Sequence, residues 1–139
     1  MGMEKYESKQ QQILKPAAFV FPLISRFDML TPALRDRVEE WQADEDTCSF
    51  KVKGFTVRLR IAERVENKHV KITGDDGNGV PVDFAFWIQL QEAGVGDTRI
   101  RMVLHAELNM MMRMMIGGKI QGGLDKAVEG LAVAFNGMP

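Results

Sequence analysis

The sequence predicts an α+β fold in which a curved seven-stranded antiparallel sheet wraps a long C-terminal helix, with two short helices after the first strand. Three observations predict it. Apolar and polar residues alternate in successive segments over residues 38–108, which is the period of strands with one buried face. The breaks between those segments are short and carry Gly, Asn and Asp, as antiparallel hairpins require. The last segment changes period, with apolar residues recurring at helical spacing.

Each element has its own reason. Residues 4–13 are polar but extended in character, and they run into Lys15-Pro16-Ala17, where a proline suits the first turn of a helix. Pro22, Asp28 and Pro32 divide residues 17–34 into two short helical pieces. Strands follow at 38–43, 47–53, 55–64, 69–74, 80–91 and 98–108. Phe55, Val57, Leu59 and Ile61 form one apolar row opposite Thr56, Arg58, Arg60 and Ala62, so that side of the sheet is wet. A second row is Val82, Phe84, Phe86, Ile88 and Leu90, and a third is Ile100, Met102, Leu104, Ala106 and Leu108. Three such rows need a cover. It is supplied by a helix that Asn109 caps and whose inward stripe runs Met110, Met114, Gly117, Gln121, Leu124, Val128, Leu131 and Phe135, stopping at Asn136-Gly137. At 1.5 Å per residue its length is roughly 40 Å, enough to cross the sheet. No repeat or linker interrupts the plan, so residues 1–139 are expected to form a single domain.

Composition narrows the function classes. The chain has 139 residues, 45% of them hydrophobic, with a formal charge of -1, so no general electrostatic attraction draws it to nucleic acid or an anionic bilayer. Its one cysteine, Cys48, excludes an intrachain disulfide and a cysteine-built zinc site and fits a reducing compartment. Alternation with Phe50 and Val52 places that thiol in the core. The near-apolar stretch 110–116 is broken by Arg113 and falls below the ~18 residues of a spanning helix. No transmembrane segment is expected, and the location implied is the cytoplasm. Tyr6 stands where a myristoylation signal needs Ser or Thr.

The order of elements resembles the helix-grip fold of the START and Bet v 1-like (SRPBCC) superfamily. Locally, Lys15-Pro16-Ala17-Ala18-Phe19-Val20-Phe21-Pro22-Leu23, then Leu30-Thr31-Pro32, and the helix opening at Leu108-Asn109-Met110-Met111 are similar to the small bacterial polyketide cyclase/dehydrase and lipid transport type. The resemblance implies an elongated apolar cavity between the sheet and the last helix, holding a hydrophobic small molecule. Its members range from lipid carriers to cyclases, and the fold does not choose among them.

On that reading the cavity wall comprises Leu59, Phe84, Phe86, Met102 and Leu104 from the inward strand rows, with Met114, Gly117, Gln121 and Leu124 from the helix. Gln121, the polar residue of the stripe, is suited to orienting a guest, as are Tyr6, Ser8 and Gln10 of the first strand. Met110, Met111, Met112, Met114 and Met115 suit either a plastic cavity wall or an exposed adhesive patch. Gly117-Gly118 and Gly122-Gly123 imply close approach of helix to sheet, room for a ligand, or a hinge. Neither pair makes a phosphate loop, because Gly123 occupies the lysine position, and Gly74-Asp75-Asp76-Gly77-Asn78-Gly79 lacks the glutamate of a calcium loop. No metal and no cofactor is expected.

Three functions stand. The first is binding or transport of a lipid-like or aromatic molecule. The second is a cyclase, dehydrase or hydrolase-type enzyme using Glu39, Glu40 or His105, although no catalytic constellation converges. The third is an interaction module acting through the methionines or through Arg58, Arg60, Arg99 and Arg101. The partner expected is a hydrophobic small molecule, with a homodimer possible and no specific nucleic acid.

Overall fold

The computed structural model describes residues 3–139. The chain forms β1 (Met3–Glu7), β2 (Gln11–Ile13), α1 (Ala17–Ile24), a 3-10 turn (Asp28–Leu30) running into α2 (Thr31–Leu34), β3 (Glu39–Ala43), β4 (Thr47–Val52), β5 (Phe55–Val65), β6 (His69–Gly74), β7 (Phe84–Gly94), β8 (Asp97–Glu107) and α3 (Met110–Asn136). All pairings are antiparallel, in the spatial order β1-β8-β7-β6-β5-β4-β3, with β2 also on β8. The expected α+β helix-grip is therefore the observed fold.

Two strands differ from expectation. The first is split in two, because Glu7 pairs with Val103 while Gln11 pairs with Ile100, leaving one extra residue on the edge strand. Ser8 occupies this bulge; its N–H donates to the Met102 carbonyl at 2.8 Å and its hydroxyl accepts from the Met102 N–H at 2.9 Å. The seventh begins at Phe84 instead of residue 80. Pro81 has no N–H for the ladder, and residues 80–83 leave the sheet as an irregular approach.

Two packed clusters hold the fold. The larger joins Ile13, Ala17, Val20, Phe21 and Ile24 to Ile88, Leu90, Ile100 and Met102 of the sheet and to Leu124, Val128, Ala132 and Phe135 of α3. Inward alternation on β7 and β8 supplies one wall, and the C-terminal half of α3 supplies the other. The smaller cluster sets Phe27 and Leu30 against Cys48 and Ile72, with Trp41 and Phe50 packed on it. There the Trp41 indole N–H donates to the Thr31 hydroxyl at 2.8 Å, fastening β3 to α2. Asn109 caps α3 as expected, its side-chain oxygen accepting from the Met112 N–H at 2.8 Å.

Candidate functional site

Helix α3 meets the sheet unequally along its two flanks. On the β1–β2 side it is tied down at four levels. Arg113 pairs with Glu4 at 2.9 Å, and the Gln121 amide donates to the Glu7 carbonyl at 2.6 Å. The Lys9 N–H donates to Asp125 at 2.8 Å. Asn136 accepts from the Leu14 N–H at 2.7 Å and donates to the Gln12 carbonyl at 3.0 Å. On the β4–β5 side no hydrogen bond joins the helix to the sheet among the described residues. An open apolar cleft of about 500 Å³ lies there instead.

The cleft is built from three places in the chain. Val57 and Leu59 of β5, Phe84 and Phe86 of β7, and Leu104 and Ala106 of β8 make its floor through their inward alternation. Met112, Ile116 and Ile120 make the helical wall, one row at i, i+4 and i+8. Val80, Pro81 and Val82, released from the ladder, form part of the rim with Val52, Lys53 and Phe55 of the β4–β5 hairpin. Lys53 (φ 49) and Gly54 (φ 83) are both left-handed, which closes that hairpin in a two-residue turn. Among the described residues the lining contains no carboxylate, imidazole, thiol or hydroxyl, and Lys53 is the one that is not apolar.

The expected wall residues separate into groups. Leu59, Phe84, Phe86 and Leu104 come together on the cleft floor. Met102 and Leu124 are 4% and 8% exposed and lie in the larger core cluster, away from the lining. Met114 is 80% exposed and turns to solvent. Gln121 is occupied by its bond to β1, so its amide is not free to orient a guest. Gly117 is buried, and a Cβ added there would stand 3.1 Å from the Tyr6 hydroxyl. Close approach, not empty space, therefore explains this glycine. The other helical glycines, Gly118, Gly122, Gly123 and Gly130, face open surroundings.

The remaining candidates also have definite places. Ser8 belongs to the bulge, Gln10 is exposed, and the Tyr6 hydroxyl is buried without a hydrogen-bond partner among the described residues. Glu39 and Glu40 are exposed, and Glu40 pairs with Lys51 at 3.4 Å. His105 stacks edge-on against Trp87 at 4.7 Å on the outer face of the sheet. Cys48 is 5% exposed, and burial pushes its thiol up to about 12. Among the described residues no three His, Cys, Asp or Glu side chains cluster as a metal site would need, and the 74–79 loop is held by hairpin bonds, with the Asn78 side chain accepting from the Arg58 N–H.

A second hollow, of about 680 Å³, lies on the outer sheet face and includes Arg99 and Arg101. Its two arginines are already engaged. Arg99 pairs with Asp97 at 3.1 Å, which holds that carboxyl below its ordinary range, and Arg101 donates to Gln89 at 2.8 Å. A polar wall whose arginines are satisfied internally offers an apolar guest less than an uncovered apolar cleft does.

No family model matches the chain, and no curated protein matches it. Solved structures do. Norcoclaurine synthase from Thalictrum flavum superposes with a TM-score of 0.73 at 12% identity, over 98% of this chain and 88% of that one; it has also been solved in complex with dopamine and hydroxybenzaldehyde. A Mesorhizobium loti protein gives a TM-score of 0.71 at 14% identity over 98% and 99% of the two chains, and a Thermobifida fusca protein gives 0.71 at 13% over 94% and 92%. At such identities the likeness is one of fold, the α+β helix-grip described above.

Proposed function

We propose that the protein binds a small hydrophobic molecule, lipid-like or aromatic, in the cleft between the sheet and the N-terminal half of α3. The observation that carries this reading is the cleft itself, an open space of about 500 Å³ with an almost wholly apolar lining. Its size falls within the usual range for small-molecule sites, roughly 300–1,000 Å³. A guest that removes about 200 Å² of apolar surface from water gains about 5 kcal/mol before the costs of ordering. Norcoclaurine synthase, which shares the fold, holds small aromatic molecules in one of its structures.

The test is titration of a fluorescent apolar probe into the wild-type protein and into Ile116→Trp, which adds bulk from the helical wall. Probe affinity is expected to fall at least tenfold, about 1.4 kcal/mol, with secondary structure retained. Unchanged affinity in the variant, or no binding by the wild type, would count against the cleft.

One observation favours a second reading, a surface for a protein partner or a second copy. Met110, Met111, Met114 and Met115 are 69%, 70%, 80% and 69% exposed on one end of α3, and soft apolar side chains suit adaptable interfaces. Sedimentation velocity across a concentration series reads it directly, since a dimer through this face would dissociate on Met111→Glu with Met115→Glu.

A further inference from the structure

The charge at the cleft rim bears on the ligand's chemistry, and the inference rests on the cleft being the binding site. Lys53 lies at the hairpin tip with φ 49, a conformation that Asn, Asp and Gly adopt more readily than lysine. Turn propensity therefore does not account for a lysine there. Its ammonium has no ion pair or side-chain hydrogen bond among the described residues, whereas neighbouring Lys51 is paired with Glu40. The two-residue turn and the Val52–Phe55 pairing hold the residue's backbone in place beside the apolar wall. Elsewhere on the rim, Val80, Pro81, Val82 and Met112 border a hollow that also contains Asp83 and Glu107. The rim is thus cationic in one part and acidic in another.

We propose that the ligand is an anionic amphiphile, an apolar body ending in a single carboxylate, whose head meets Lys53 while the body lies against Leu59, Phe86, Leu104 and Ile116. An apolar end would take water from the ammonium and return no hydrogen bond, and a neutral hydroxyl would return a hydrogen bond without an opposite charge. A carboxylate returns a charge-assisted one. The same head is repelled by Asp83 and Glu107, so the rim's asymmetry sets one orientation. The apolar body confers affinity, and Lys53 confers the choice of head group.

The test compares decanoate with decanol, which have equal chain length, by isothermal titration calorimetry at pH 8 and low salt, below the concentrations at which either aggregates. The variants are Lys53→Asn, which suits the left-handed turn and so protects folding, and Lys53→Arg, which keeps the charge. Wild type and Lys53→Arg are expected to bind decanoate about fivefold more tightly than decanol. Lys53→Asn should lose about fivefold for decanoate and stay within twofold for decanol, and 0.5 M NaCl should weaken only decanoate binding to the wild type. Equal affinities for the two ligands, or a Lys53→Asn variant with undiminished decanoate binding, overturn the head-group assignment and leave the cleft standing. Binding of neither ligand to the wild type overturns the cleft reading and this inference with it.

Discussion

The two flanks of α3 are the same helix under two regimes. Toward β1 and β2, Arg113, Gln121, Asp125 and Asn136 each reach a strand or its connecting backbone, and Gly117 lets the helix sit against Tyr6. Toward β4 and β5, Met112, Ile116 and Ile120 face a gap. The difference teaches how the fold keeps a space open beside a packed core. A helix fixed along one edge by directional bonds need not collapse onto the other to remain in place. The non-directional pull of apolar burial remains unsatisfied on the open edge, where a guest can satisfy it.

The comparison breaks most readily through paired truncations. Leu124→Ala, in the core beneath the helix, is expected to cost about 2–5 kcal/mol, lowering the melting temperature by roughly 3–4 °C per kcal/mol for a chain of this size. Ile116→Ala, on the cleft wall, should cost about 1 kcal/mol or less, because its surroundings are already incompletely packed. Equal losses by thermal melting would mean that the cleft is closed in solution.

A smaller effect sharpens the fastened side. Gly117→Leu forces bulk toward the Tyr6 hydroxyl and should cost about 1–3 kcal/mol despite its better helix propensity. Chemical denaturation measures the loss, while probe binding in the cleft should persist. A Gly117→Leu protein as stable as the wild type would show that helix and β1 do not approach as described.

The smallest effect is a gain. Gly122 faces open surroundings on α3, so Gly122→Ala is expected to stabilise by about 0.5–1 kcal/mol through helix propensity alone. A drop in melting temperature instead would reveal a contact that this face makes with a second molecule.

Much of this arrangement can be read from local pattern. Asn109 opens α3 because its cap is a local contact, the side-chain oxygen accepting from the Met112 N–H three residues on. Leu59, Phe84, Phe86 and Leu104 share a side because strand alternation has a period of two and the hairpins preserve it. The helical wall was less legible for a physical reason. Met110, Met111, Met112, Met114 and Met115 are all apolar, and the one polar residue among them, Arg113, reaches Glu4 of β1, so the phase is weakly marked and the expected stripe through Met110 and Met114 gives way to one through Met112, Ile116 and Ile120. Val57 and Phe55 were signalled by the same row as Leu59. Residues 80–82 were not, since only the loss of Pro81 from the ladder sends them to the rim.

By itself the sequence determined what depends on neighbours along the chain: the antiparallel hairpins, the capped C-terminal helix, the buried thiol of Cys48 and the inward rows of β5, β7 and β8. Tertiary structure alone decided what depends on partners distant in the chain. Gln121 became a tie to the Glu7 carbonyl, 114 residues away, Gly117 a seat for Tyr6, and Lys53 a cation in the lining of an apolar cleft. A side chain's chemistry is written locally, but whether its donor, bulk or charge is spent or left free is settled by the surface the fold brings opposite it.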